Sequence, residues 1–583
     1  MKKYIYITLL TCGGLFSGCQ PNLDLGNPNA LTTSTYYKTA DELIGGVNGA
    51  YNIMQRTGGW GMDMPYMLNA KGDDYTFTFK ASAGFKDVTS LCSYTIMADN
   101  GFSHDSYLAW YVQEYACNLI LEKIDQATMV NNDTLKNRLR GEAYFLRGLT
   151  HFYLTACFGE EIPYKDHTPK TNEDFYPSPL PKGQMYQKIV DDFVRAIKLL
   201  PLRSDMYKDP TNIGRATQGS ARAFLAKTYL MKPILQQGSL ADWVSAAAQL
   251  DTLINSNQYS LTQNFRDNHT ETNENNQESV FEVQFYNNLN GSLNNSVNED
   301  FILSWGQSDQ STWRQINIGM MDASGTNSTW WNMSPTPRAV NEFERADNTN
   351  PASSIIDPRY SMSIWGPGGA SFDVRADAAS RWRPYEQIVP VSSPNYGIYL
   401  GTRKFCADKA SADPGYGDGI NDRLIRYSDV LLMYAECLVE LNRPNEAIPF
   451  IDQVRSRANN QLTLTTPADN FLFYAKAPGT LPTVENLIIA APTINGTQIN
   501  TLRRAIKHER YVELFSEGWH YFDLLRWYYN PNDPDASTTL DVLINKGKAE
   551  NNTFSFNLAK DEYLPIPATE LQRNKNMHGN SAN

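Results

Sequence analysis

The stretch "HERYVELFSEGWHYFDLLRW", His508–Trp527, sets three glutamates, an aspartate, two arginines and two histidines among aromatic side chains. Across Thr501–Trp527 the apolar positions Leu502, Ile506, Leu514, Phe515, Trp519, Phe522 and Leu525 mark helical faces, with Gly518 ending or kinking the first helix. Glu509, Glu513 and Glu517 recur every four residues, so they stack on one face and repel unless compensated. Arg510 lies within helical reach of Glu513, and Arg526 of Asp523, which predicts a semi-buried ion-pair network. A catalytic reading needs a nucleophile or a metal set. No HExxH, GxSxG, Walker or Rossmann pattern occurs, and the histidines give no metal spacing, so His508 and His520 read as surface or pairing residues. The stretch reads as scaffold.

Outward from it, helical periodicity comes in pairs, which makes the fold class mainly α. Leu43, Val47, Ala50 and Met54 pair with Trp110, Cys117, Leu121 and Ile124. "RGEAYFLRGLTHFYLTACF" (Arg140–Phe158) precedes a stripe of Tyr186, Ile189, Val190, Phe193, Ile197 and Leu200. "GSARAFLAKTYLMK" (Gly219–Lys232) precedes Trp243, Ala247, Leu250 and Ile254. "YSDVLLMYAECLVEL" (Tyr427–Leu441) precedes Ile448, Ile451 and Val454. Gly-x-Ala at Gly141 and Gly219 is similar to the first helix of a tetratricopeptide unit, where small residues let a neighbour approach closely. Insertions break the strict period. The expectation is four degenerate pairs stacked as a short solenoid, set against an irregular bundle of unrelated helices.

Between residues 261 and 420 the texture changes to Asn, Ser, Gly and Pro with short β-type runs, and Trp305, Trp313, Trp330, Trp331, Trp365 and Trp382 fall here. Surface loops that carry indoles point to ligand contact. A net charge of −12 with no basic stripe excludes a nucleic-acid partner. At the start, Lys2 and Lys3 precede an apolar run, Tyr4–Phe16, too short to span a membrane as a stable helix. It ends in Leu15-Phe16-Ser17-Gly18-Cys19, which resembles a bacterial lipobox and marks Cys19 for acylation; no later segment could span a bilayer. Cys92, Cys117, Cys157, Cys406 and Cys437 remain, and those in apolar helical patterns (Cys117, Cys157, Cys437) read as buried free thiols. The chain thus divides into signal peptide 1–18, acylated N-terminus and tether 19–35, helical scaffold 36–260, loop-rich portion 261–420, and last helix pair with the quoted signature 421–583.

Glu509, Arg510, Glu513, Leu514, Glu517, Gly518, Asp523, Leu524, Arg526 and Trp527 together resemble the C-terminal signature of the SusD/RagB family of outer-membrane lipoproteins, with His520 where arginine is usual. "YLPIPATELQRNKNM" (Tyr563–Met577), the Tyr427 helix pair and "GEAYFLRGLTHFYLTACFGEEIPY" resemble further family elements, in order along the chain. The resemblance implies a tetratricopeptide-like frame bearing a loop-rich portion. It also implies a lipid-anchored lid at the cell surface, over a SusC-like TonB-dependent barrel, that captures oligosaccharides without catalysing a reaction. A peptide-capturing lid of the same type is the alternative. A surface glycoside hydrolase is a further one, and would need two carboxylates set across a sugar.

Sugar faces pack on indole and phenol rings while amides, carboxylates and arginines bond the hydroxyls. Trp330 and Trp331 are therefore the leading platform, and Asp73 and Asp74 (hydroxyl acceptors) with Tyr75 (stacking ring) form a second wall. Trp305, Trp313, Trp365, Trp382 and Arg383 complete the candidates. No cofactor is expected. A structural calcium at Asp413, Asp418 and Asp422 in "DPGYGDGIND" is weighed against a solvated turn, since the spacing is not that of an EF-hand.

Overall fold

The computed structural model describes residues 36–78, 85–127, 129–236, 239–286, 312, 314, 331–343, 357–367, 372–373, 382–383, 385–406, 419–460, 480–539 and 556–580. Its frame is built from ten helices: α1 (Ala40–Gln55), α2 (Gly101–Lys123), α3 (Asp133–Phe158), α4 (Gln184–Leu199), α5 (Gln218–Gln236), α6 (Leu240–Asn255), α7 (Tyr427–Glu440), α8 (Pro444–Asn460), α9 (Leu502–Leu514) and α10 (His520–Tyr528). Local chemistry fixes several starts. Thr39 and Glu42 close a capping box on α1, Ser239 and Asp242 close another on α6, and Asn132 accepts from the Leu135 N–H at the head of α3.

The helices pack as α1 on α2, α3 on α4, α5 on α6 and α7 on α8, and each pair leans on the next through α2–α3, α4–α5 and α6–α7. These are the four pairs that the periodicity predicts. Glycines on α3 set how closely α4 approaches. A Cβ on Gly141 would lie 3.0 Å from Leu199 Cβ, and one on Gly148 would lie 3.2 Å from the Phe193 ring. α9 then packs against α7, and α10 against α5, so the His508–Trp527 stretch closes the end of the stack. One apolar cluster runs through all of it, from Leu43 on α1 to Met577 near the C-terminus.

The described parts of the loop-rich portion are tied to this frame by short antiparallel pairings. Tyr75–Phe77 pairs with Met333–Pro335, Ser279–Val283 with Asp422–Arg426, Ile364–Trp365 with Gly401–Thr402, and Phe372–Asp373 with Trp382–Arg383. A small satellite core of Trp365, Tyr385, Val389, Leu400 and Cys406 forms beneath them. Cys92, Cys117, Cys157, Cys406 and Cys437 are all buried and none forms a disulfide, as expected for the helical ones, and burial pushes Cys157 up to about 12. Among the described residues, no helix is long and apolar enough to cross a membrane.

Candidate functional site

The carboxylates of the quoted stretch are walled in by cations from distant parts of the chain. Glu509 accepts from Arg359 and Arg455, each at 2.6 Å. Glu513, with no exposed surface, accepts from Arg359 at 2.8 Å and also from Arg426 and Arg457. Glu517 takes Arg426 at 2.8 Å and Lys404 at 2.6 Å. Burial opposes these anions, yet Arg457, Arg426 and Arg359 hold Glu513 well below the usual carboxylate range, and Arg457 and Arg426 bring neighbouring Glu278 down to about 2.

A second cluster joins α7, α9 and α10. Arg510 bonds Asp523 and Asp429, each at 2.9 Å, and Arg526 bonds Asp523 at 2.8 Å and Glu436 at 2.7 Å. The expected Arg526–Asp523 pair is therefore present. The expected Arg510–Glu513 pair is not, because Arg510 faces Asp523 and Asp429 while Glu513 faces the arginines of other elements. Sequence reasoning missed Arg359, Arg426, Arg455, Arg457 and Lys404. The available signal was cations inside otherwise apolar, buried segments such as "DRLIRYSD" and "QVRSRA".

A cleft of about 420 Å³ opens beside this scaffold, between α9, α10, the hairpin of Thr493–Ile494 with Thr497–Gln498, and the short helix Pro337–Phe343. His520 stands at its edge and pairs with Asp73, whose other oxygen takes Arg338. His508 pairs with Glu342 at 2.8 Å. Both histidines are thus pairing residues. Glu513 and Glu517 are enclosed in the scaffold, whereas His520 borders open space.

Several candidate ligand residues are corrected by burial. Trp331 is 3% exposed and donates its indole N–H to the Leu400 carbonyl at 2.8 Å, so it anchors a loop instead of offering a free face. Trp365 sits in the satellite core against Tyr385. Tyr75 is fully buried, stacks on Phe515 and bonds Ser516 and Thr402, because its strand pairs with Met333–Pro335. Asp74 is buried beside it, its carbonyl accepting the Thr336 N–H. Asp73 reaches the cleft, but both of its oxygens are engaged. Trp305, Trp313 and Trp330 lie outside the described residues, as does Cys19, and Trp382 and Arg383 are described only as backbone strand.

The calcium candidate is also corrected where it can be described. Asp422 is buried on a strand with its carboxylate on Arg314, while Asp413 and Asp418 lie outside the described residues. Asp73, Asp74 and His520 bring three ligand atoms within 4.8 Å of one another, but the guanidinium of Arg338 on Asp73 supplies the positive charge that a metal would.

A profile of the SusD family matches residues 277–582, and one described as starch-binding, associating with the outer membrane, matches 52–230. The chain belongs to the SusD family. The SusD-like protein P2 of Formosa agariphila is 23% identical over 606 aligned positions, covering 100% of this chain and 99% of that one. Among solved structures, a SusD homolog from Bacteroides thetaiotaomicron is 20% identical with a TM-score of 0.70, covering 94% of this chain and 98% of the other. Surface glycan-binding protein A of the same organism, solved with laminarihexaose, is 19% identical with a TM-score of 0.65, covering 93% and 99%.

His520 makes one frame contact titratable. Burial works against its imidazolium, but Asp73 outweighs burial and raises the pKa above the usual histidine value. A raised folded pKa means that the pair's stability is fully present below about pH 6.5 and is lost as pH rises through the folded value. His520→Arg is therefore expected to hold its melting temperature better than the wild type between pH 6 and pH 9 in scanning calorimetry. Parallel pH profiles for the two proteins would remove the pair from the stability of this contact.

Proposed function

We propose that the protein is a non-catalytic, lipid-anchored glycan-capturing protein of the outer-membrane surface, tethered through acylated Cys19. It passes oligosaccharides to a SusC-like TonB-dependent transporter for which it acts as a lid. The observation that carries this reading is SusD membership across residues 277–582, joined to a frame whose signature carboxylates are fixed by guanidinium groups. A glycosidase needs one carboxyl ready to give a proton and another facing the sugar; Glu509 and Glu513 have no exposed surface and are held by arginines. The laminarihexaose bound by the similar surface glycan-binding protein makes a β-glucan a reasonable first probe.

The capturing surface in this reading is the loop-rich portion, with Trp330 as leading platform and Trp305, Trp313, Trp382 and Arg383 as its companions. Protein lacking Met1–Cys19 is expected to be retarded in native gels containing its glycan, with laminarin run beside starch, xylan and pectin and a random peptide pool titrated in parallel. Trp330→Ala should abolish the retardation, since loss of one sugar-stacking ring removes a central anchor. Binding to peptides and to no glycan would replace this reading with peptide capture, and release of new reducing ends would replace it with hydrolysis.

A further inference from the structure

We propose that the cleft bordered by α9, α10, the Thr493–Gln498 hairpin and the helix Pro337–Phe343 is a subsite for an acidic sugar unit, one carrying a carboxylate or a sulfate. This rests on the glycan-capture reading and places a subsite where the frame helices α9 and α10 meet the helix Pro337–Phe343 of the loop-rich portion. At about 420 Å³ the cleft falls in the range of small-ligand sites.

The class of ligand follows from which polar groups are already satisfied. Asp73 is held by His520 and Arg338, Glu342 by His508 and by Asn495 at 2.7 Å, and Asp535 by both sides of Arg504 at 2.7 Å. Lys507 is held by Asp533 at 2.6 Å. Every carboxylate lining the cleft is therefore engaged.

Two donors near Asp73 are not fully engaged. Arg338 bonds Asp73 through Nε alone, its Nη groups make no bond among the described residues, and 35% of its side chain is exposed. Tyr511 is 8% exposed, lines the cleft and has a buried hydroxyl with no hydrogen-bond partner. The two lie within one electrostatic neighbourhood with Asp73 and Glu342. A buried hydroxyl without a partner loses free energy unless something supplies one.

The unmet functions are thus a guanidinium edge, which only donates, and a phenol hydroxyl, which can donate or accept. A planar carboxylate or a sulfate ester accepts two parallel bonds from such an edge, and a sugar hydroxyl beside it reaches the phenol. Asp73, bonded through one oxygen by Arg338 and through the other by His520, has no oxygen left to accept from a ligand. A cationic sugar would meet Arg338, Arg504 and Lys507 and no unengaged carboxylate.

Three probes share one ring and differ at C6: D-glucose, D-glucuronate and D-glucose 6-sulfate. Saturation-transfer NMR on the protein lacking Met1–Cys19 should show transfer to glucuronate, glucose 6-sulfate or both, well above that to glucose. The two acidic arms decide between carboxylate and sulfate. Arg338→Met and Tyr511→Phe should each weaken that binding by about tenfold, and salt should weaken it in the wild type. Tyr511→Phe is the folding-safe variant: it deletes a hydroxyl that has no partner, so its melting temperature should match or exceed the wild type's. Equal transfer to all three sugars, or acidic-sugar binding that survives both substitutions, overturns the proposal while leaving glycan capture standing. A wild-type protein that binds no saccharide, polymeric or monomeric, overturns both.

Discussion

Glu513→Ala is expected to lower unfolding free energy by about 3–5 kcal/mol, the range for removing one member of a buried ion network. Glu513 is shared by three guanidiniums, of Arg359, Arg426 and Arg457, and has no exposed surface. Each of these arginines keeps another carboxylate: Asp357 and Glu509 for Arg359, Glu278 and Glu517 for Arg426, and Glu278 for Arg457. The penalty is therefore an added positive charge in a region that water cannot reach. Its folded pKa is depressed, so the stability that Glu513 supplies is present above the ordinary glutamate range and is lost as pH falls below it. The gap between wild type and variant should accordingly narrow on acidification. Urea unfolding at pH 7 and pH 4 measures both effects. Glu446→Ala, which breaks the exposed Arg443–Glu446 pair, should leave the midpoint unchanged. A shift for Glu513→Ala no larger than that of Glu446→Ala would mean that the cage does not hold the helices together.

The cage marks where sequence reasoning reached and where it stopped. The stacking of Glu509, Glu513 and Glu517 follows from their spacing alone, and so does the need for compensating charge. The identity of the partners does not, because Arg359, Arg426, Arg455 and Arg457 come from other elements and helical neighbour rules see only local pairs. The same rule produced the Arg510–Glu513 pair that is not formed. Helix pairing was legible because each stripe is local, and stacking requires only that neighbouring stripes meet. The ligand residues were less so. Tryptophan in a polar segment points to exposure, yet Trp331 is held by its bond to the Leu400 carbonyl and Trp365 by a two-residue strand pairing and the Tyr385 ring, contacts that no local pattern reveals. Arg338 and Tyr511 gave no signal, since an unsatisfied hydroxyl can be recognised only once its surroundings are fixed.

Gly518→Ala is the other substitution expected to have a large effect, about 2–5 kcal/mol. Gly518 lies at φ +80° in the turn between α9 and α10, where an L-residue costs about 1–2 kcal/mol. A Cβ there would also stand 2.7 Å from Leu68 Cβ, an atom fixed close to the backbone of the buried helix Asp63–Ala70. It cannot rotate away, so the helix must shift, at about 1–3 kcal/mol for overpacking. That shift would also strain the 3.1 Å bond from the Gly518 N–H to Asn69, three residues before Gly72 and the Asp73–His520 contact. The two helices would thus lose their joint to the first part of the chain as well as their turn. Gly49→Ala provides the contrast, since an added Cβ in α1 meets nothing within 4 Å and should stabilise by about 0.5–1 kcal/mol. Thermal unfolding of both variants tests the turn directly. If Gly518→Ala melts with the wild type, the turn tolerates a side chain, and glycine is there for a reason other than its backbone angle and the approach of Leu68.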